Sequence, residues 1–231
     1  MRLEALERMD TEALSPQDAS SILTDLERIN RWIGGVAATL SHFDQFARRW
    51  RAGERIRILD WGTGGADVPR AIVRWALRHG HRVEITGIDS NAAVLAVARE
   101  RCKDYPEIRL IEADARSWPD PPHPFDYVIS SLTLHHLDDK AIVELLRRSD
   151  RLARRGMVMN DLIRSARAWA WIWGLSRLVR MHPIVQADGP LSIRRAFAPR
   201  ELASYARQAG VSYVTVRKHF GYRLTLAGEK S

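Results

Sequence analysis

The run Asp60-Trp61-Gly62-Thr63-Gly64-Gly65-Ala66-Asp67 constrains the fold of this chain more than any other segment. It follows a short apolar stretch from Ile56 that reads as a buried strand, and it passes directly into an amphipathic helix, Val68 to His79. Glycines at 62 and 64 permit positive φ and let a ligand approach the backbone. A strand turning on glycines into a helix is the opening unit of an open α/β sheet, with the ligand at the carboxyl edge. Nicotinamide and flavin folds also use such a turn, so the turn alone does not name the ligand.

The same rhythm continues downstream. Val83 to Asp89, Ile108 to Ala113 and Tyr127 to Leu132 read as further buried strands, with a helix at Ala92 to Cys102. A helix over Asp138 to Arg154 ends at Gly156 and leads into a strand, Met157 to Asn160. Strands alternating with helices predict a parallel sheet covered on both faces. Near the C-terminus the helix Pro199 to Ala209 leads to strands Tyr213 to His219 and Tyr222 to Leu226, whose Phe220-Gly221 link predicts an antiparallel hairpin. Upstream, Ser15-Pro16-Gln17-Asp18 is a helix start, followed by apolar Ala19, Ile22, Leu23, Leu26, Ile29 and Ile33 until Gly34-Gly35. A second helix is expected from Val36 to Trp50. The organisation expected is an N-terminal helical annex (1–53) and one α/β domain (54–231), with 163–197 as a lid-like insertion.

With 231 residues, 45% of them hydrophobic, the chain can bury one sizeable core. A single cysteine, Cys102, excludes an internal disulfide and fits a reducing compartment. The first ten residues interleave Arg2, Glu4, Glu7, Arg8 and Asp10, unlike a secretory signal. The longest apolar run, Ala168 to Leu175, is far short of the roughly 20 residues that span a bilayer. A cytoplasmic protein is therefore expected. The net charge of +8 raises a polyanion partner. The basic residues are nearly all arginine and scattered along the chain, however, which reads as compositional bias, and no nucleic acid is expected.

Acids at the strand ends narrow the ligand. Dinucleotide sites want Gly or Ala at the sixth position of G-x-G-x-x-G, and here that position is Asp67, which a pyrophosphate would repel. Asp67 reads instead as a helix N-cap with Pro69 in the first turn. Asp60, two residues before the first glycine, suits an ammonium group. Gly87-Ile88-Asp89-Ser90 ends the second strand with a carboxylate that can accept both hydroxyls of a ribose. Glu112-Ala113-Asp114-Ala115 ends the third, where Asp114 can take the exocyclic amine of adenine.

The run Ile58-Leu59-Asp60-Trp61-Gly62-Thr63-Gly64, the Gly-Ile-Asp-Ser and Ala-Asp-Ala strand ends, and Phe125-Asp126-Tyr127-Val128 into Leu134-His135-His136-Leu137 resemble class I S-adenosylmethionine methyltransferases. The resemblance covers Arg55 to about Leu226 and is nearest to bacterial quinone C-methyltransferases and polyketide O-methyltransferases. It implies a doubly wound, mostly parallel seven-stranded sheet with an antiparallel last strand, and S-adenosylmethionine as cofactor. By position, Asp60 and the Gly62-Thr63-Gly64 turn hold the methionine end, Asp89 with Ser90 the ribose, and Asp114 with Ala115 the adenine. Ser131 lies beside them at the end of strand four. Ala66 departs from the third glycine of many relatives.

Methyl transfer needs the acceptor held in line and deprotonated at the right moment. A phenol with a pKa near 10 wants a base poised closer to neutrality, which histidine supplies. His135 and His136 follow strand four; in an extended segment they would point to opposite sides, leaving one for the pocket, with His136 preferred by family position. No metal is expected, because strand four ends in Ser130-Ser131 rather than a carboxylate, and Asp161 reads as a pocket wall or a partner for Arg164. Trp169 and Trp173, four apart on one helical face, make an apolar stripe that Trp171, Ile172 and Leu175 widen, flanked by Arg164, Arg167, Arg177 and Arg180. That stripe suits a lid over an apolar acceptor, a helix packed on the sheet, a homodimer interface, or peripheral membrane contact. Arg31, Trp32 and Arg195 complete the expected substrate pocket, and Asn30-Arg31-Trp32, just before Gly34-Gly35, is placed to close the opposite side of the cofactor or to pack structurally. The function expected is O-methylation of a phenol, quinol or polyketide-derived ring in secondary metabolism. C-methylation of a quinone precursor is the first rival. Nucleic-acid methylation is disfavoured because no Asn-Pro-Pro-Tyr-like tetrad follows strand four.

Overall fold

The computed structural model describes residues 2, 3, 5–119 and 125–230. Seven strands, β1 (Arg55–Trp61), β2 (Arg82–Asp89), β3 (Ile108–Glu112), β4 (Phe125–Ser131), β5 (Ala153–Leu162), β6 (Thr215–His219) and β7 (Arg223–Glu229), form one sheet in the order β3-β2-β1-β4-β5-β7-β6. Strands β1 to β5 are parallel, while β7 runs antiparallel to both β5 and β6. This is the doubly wound sheet with an antiparallel C-terminal hairpin that the sequence predicts. The order reverses between β1 and β4, and ligands of open α/β sheets bind at such a switch point.

Alternation along β1 divides the core. Ile56 and Ile58 face α3 (Gly35–Phe46) and α4 (Asp67–Arg78), where Phe43, Ile72 and Val73 are buried. Leu59 and Trp61 face α6 (Asp139–Leu152) and α9 (Pro199–Ala209), against Leu146 and Leu202. The second strand–helix unit adds α5 (Ala92–Arg101), capped by Asn91.

Of the N-terminal helices α1 (Arg8–Thr11), α2 (Pro16–Trp32) and α3, the third packs on β5 and β7 and the second on α5. Ser15 caps α2, accepting from the Asp18 N–H, and Pro16 opens it, as expected. Beyond the sheet, Ile22, Ile29 and Ile33 of α2 share a small core with α7 (Ala166–Leu178) and α8 (Pro183–Arg195), through Ala168, Ile172, Ile184, Val185 and Ile193. Helix α2 of the expected annex and the segment expected as a lid are thus packed on each other, while α3 covers a face of the sheet. Among the described residues, no helix is long and apolar enough to cross a membrane.

Two local expectations need correction. Gly156, read as a helix stop, lies inside β5; a Cβ there would meet the Gly228 carbonyl oxygen at 2.2 Å. It is small because β7 approaches closely, and the helix ends four residues earlier, at Leu152. Asp67 is not the cap of α4 but its first residue, and its carboxylate accepts from Asn30 Nδ2 at 2.7 Å. The cap is Ala66, at φ 56°, a left-handed conformation that favours glycine, which is where the family's third glycine belongs.

Candidate active site

The carboxyl ends of β1, β2 and β4 open onto a cleft of about 920 Å³. Gly62 (φ 64°) and Gly64 (φ 53°) carry the chain across it, and a Cβ on Gly62 would collide with Thr133 Oγ1 at 2.4 Å. Every residue expected to hold the cofactor lines this cleft: Asp60, Gly62, Thr63, Gly64, Asp89, Ser90, Asp114, Ala115 and Ser131. The register explains the convergence, because Asp60 pairs with Gly87 and Asp89 with Glu112 at the ends of neighbouring parallel strands.

The polar groups in the cleft are incompletely satisfied. Asp60 is buried, and its Oδ1, the Thr63 Oγ1 and the Ser131 Oγ have no hydrogen-bond partner among the described residues. Burial pushes the Asp60 carboxyl up to about 8. Buried polar atoms without partners are rare in native proteins, and here they cluster where a ligand's ammonium and carboxylate groups would meet them. Asp89 accepts from the Gly64 N–H at 3.0 Å and the Asn91 N–H at 3.0 Å, and burial raises its pKa against those bonds. Asp114 is half-exposed and held by Arg116, whose hydrogen bonds keep it below the ordinary carboxylate range. The residues present fit S-adenosylmethionine.

A second, apolar cavity of about 120 Å³ adjoins the cleft. It lies between α2, α7 and α8, lined by Ile22, Ile29, Ala168, Trp171, Ile172 and Val185 among others. Met9, Leu26, Leu132 and His136 line both spaces, so His136 is the ionisable side chain at their junction.

The histidines differ from expectation. Leu134–His136 is a 3₁₀ turn, not an extended segment, and about three residues per turn keeps neighbouring side chains from pointing apart. The two rings are 4.3 Å apart, and both line the apolar cavity. His135 Nδ1 stands 2.6 Å from Asp161 Oδ1, and His136 Nδ1 stands 2.7 Å from Asp10 Oδ2. Asp161 is therefore a partner of His135, buried behind it rather than in the pocket wall; Arg164 pairs with Glu201 instead. Burial alone would raise Asp161, but His135 holds it below its ordinary value. Burial likewise opposes the charge on His136, yet Asp10, Glu7 and Asp161 raise its pKa.

Glu7 faces both histidines, a residue that sequence reasoning missed because nothing local links it to strand four. Its Oε1 lies 3.6 Å from His135 Nε2, and its Oε2 3.9 Å from His136 Nε2. Arg195, expected in the pocket, is buried beside this cluster: Nε donates to the His135 carbonyl at 2.9 Å, and Nη1 to the Ala5 carbonyl. It ties the N-terminal segment to the turn.

Trp169 and Trp173 do not line either space. They stack on the outer face of α7, at 38% and 45% exposure, while Ala168 and Ile172 point inward. Both pairs satisfy the four-residue helical spacing, and the bulkier pair is the outward one. Arg31 and Trp32 are also exposed and line neither space; their neighbour Asn30 reaches the cleft instead.

Residues 58–156 match the family described as a methyltransferase domain. A 2-phytyl-1,4-naphthoquinone methyltransferase of Thermosynechococcus vestitus is 34% identical over 91 residues, 38% of this chain and 39% of that protein. A ubiquinone/menaquinone biosynthesis C-methyltransferase of Chromobacterium violaceum is 32% identical over 117 residues, 49% of this chain and 46% of the relative. The chain thus spans less than half the length of the curated relatives it matches. Among solved structures, an S-adenosylmethionine-dependent methyltransferase from Aquifex aeolicus superposes with a TM-score of 0.62 at 15% identity, covering 94% of this chain and 99% of that one. Human N-acetylserotonin methyltransferase in complex with S-adenosylmethionine gives 0.64 at 16%, covering 94% and 57%. Residues 58–156 thus resemble a methyltransferase domain, and the fold is the one shared by S-adenosylmethionine-dependent methyltransferases.

Proposed function

We propose that the protein methylates an ionisable oxygen on a small, apolar aromatic acceptor such as a phenol, a quinol or a polyketide-derived ring. One observation carries this reading: a ring-sized apolar cavity shares a wall with the cofactor cleft, and His136 stands in that wall. A cavity of roughly 150 Å³ accommodates a benzene ring, and this one is of that order. S-adenosylmethionine supplies an electrophilic methyl group on a sulfonium. The chain's own residues do the rest. Asp60 offers a carboxylate to the cofactor's ammonium group and Asp89 offers one to its ribose. Leu26, Leu132 and Met9 hold the acceptor's ring against the cleft and exclude water, which favours a transition state in which opposite charges merge. His136, with Glu7 and His135 behind it, meets the acceptor's hydroxyl.

C-methylation of a quinone precursor is the second reading, favoured by the names of the two curated relatives. The same cavity serves it, with a ring carbon rather than the oxygen turned toward the cleft. Turnover of a panel of phenols and quinols tests both. Mass spectrometry should show a gain of one methyl group, and NMR should place it on oxygen. A ring methyl would select the second reading. A protein that binds S-adenosylmethionine but methylates no phenol or quinol would overturn both.

A further inference from the structure

We propose that Glu7, His135 and His136 form a binding site for a divalent transition-metal ion, with zinc the ion that the donor set suits. Four observations support it. One Nε2 of each histidine and the Glu7 carboxylate converge, with ligand atoms all within 4.8 Å of one another. Their separations, 3.6 Å to His135 and 3.9 Å to His136, are too long for hydrogen bonds. They are close to the spacing a metal imposes, since bonds of roughly 2.0–2.1 Å at tetrahedral angles put donor atoms about 3.4 Å apart.

The second observation is the orientation of the rings. Each Nδ1 already faces a carboxylate, Asp161 for His135 and Asp10 for His136. A neutral imidazole that donates from Nδ1 to a carboxylate presents its Nε2 lone pair outward, which is how metal-ligating histidines are held. Third, Glu7 is 4% exposed, and its Oε1 has no hydrogen-bond partner among the described residues. Oε1 faces His135 Nε2 at 3.6 Å and Arg195 Nε at 3.9 Å, and Oε2 faces His136 Nε2, an arrangement that leaves room for a cation between the carboxylate and the rings. Fourth, the carboxylates of Glu7, Asp10 and Asp161 all face the two rings, surroundings that favour a cation.

Three protein donors and an open side facing the apolar cavity match a catalytic site rather than a closed structural one. On the reading of the previous section, on which this role rests, the ion takes the acceptor's hydroxyl oxygen. The hydroxyl proton leaves to water, an electron pair of the oxygen forms the new O–C bond, and the S–C bond breaks to leave a neutral thioether. The Lewis acid ionises a weakly acidic phenol at neutral pH, the task otherwise given to a histidine base.

The test uses the full chain, stripped with chelator and then titrated with Zn²⁺ by calorimetry and with Co²⁺ by absorption spectroscopy. One ion per chain is expected. His136→Ala and Glu7→Gln should abolish the Co²⁺ bands, Asp10→Asn should weaken Zn²⁺ binding by about 10–100-fold, and His182→Gln, remote from the cluster, should leave it unchanged. Circular dichroism confirms that each variant is folded; Asp10 is partly exposed, so its variant remains informative if a buried one unfolds. No stoichiometric ion in the wild type, or unchanged binding in Glu7→Gln, would overturn the site. Full turnover by ion-free protein would overturn its role. Ion binding without turnover on any acceptor would strike at the proposed reaction and leave the site standing.

Discussion

His135 and Asp161 make two hydrogen-bond contacts: Nδ1 with Asp161 Oδ1 at 2.6 Å, and the backbone N–H donating to Oδ2 at 3.2 Å. Both residues are buried, and the pair fastens the 3₁₀ turn after β4 to the end of β5. Breaking a buried pair by removing one partner leaves the other uncompensated. Asp161→Ala should therefore cost about 1.5–3 kcal/mol of folding stability, read by chemical denaturation, and Asp161→Asn clearly less. A loss under about 1 kcal/mol for the alanine variant would mean the turn is held by other contacts.

Cofactor affinity should depend on pH through Asp60. With its carboxyl raised to about 8 before ligand binds, the group is largely protonated at neutrality and cannot pair with an ammonium. Binding must release that proton, so affinity rises with pH toward 8. Above that the cofactor's own α-amino group, with an ordinary pKa of about 7.7–8.0, loses its charge and affinity falls again. Titration calorimetry across pH 6–9 should show a maximum near 8, and Asp60→Asn should remove the rising limb. A profile of the same shape in the variant would show that Asp60 does not meet the ammonium.

Asp89→Ala should weaken S-adenosylmethionine binding by about 1.5–3 kcal/mol while the protein stays folded. Equilibrium binding on the variant checks it. Because Asp89 also accepts from Gly64 and Asn91, Asp89→Asn separates the two roles: it keeps one carbonyl acceptor for the turn. Unchanged affinity in both variants would remove Asp89 from the cofactor site.

The inner face of α7 should matter to the acceptor more than the outer one. Replacing exposed Trp169 and Trp173 together by alanine should change kcat/KM by less than about threefold, since surface changes seldom alter a site they do not touch. Ile172→Ala enlarges the cavity instead, and should raise KM for a single-ring acceptor while costing about 2–5 kcal/mol of stability. The reverse ranking would restore the tryptophans to the acceptor site.

Most of the sheet and the cofactor side were legible in the sequence, because both depend on local patterns. Buried strands, a glycine turn and acids at three strand ends are each contained within a few residues, and parallel register then aligns them without further information. The acceptor side depends on long-range contacts. Glu7 and Asp10 meet the histidines only because Arg195 and the α1–α8 packing carry the N-terminus back across the cleft. Helical spacing alone does not say which residues of the broad α7 stripe face inward, so it cannot separate Ile172 from Trp169 and Trp173. Gly156 misled for a similar reason: a helix stop and a close strand approach both call for glycine, and only the pairing with β7 distinguishes them.

On the proposed reaction, His136 stands where the acceptor's reacting oxygen meets the cofactor. The most direct measurement compares His136→Ala with the wild type in two assays, calorimetric affinity for S-adenosylmethionine and kcat on a phenolic acceptor identified by the turnover panel. Cofactor affinity should stay within about threefold, and kcat should fall by roughly 10²–10⁴-fold. A variant whose kcat is unchanged, or one that loses cofactor affinity and turnover in equal measure, would contradict that placement.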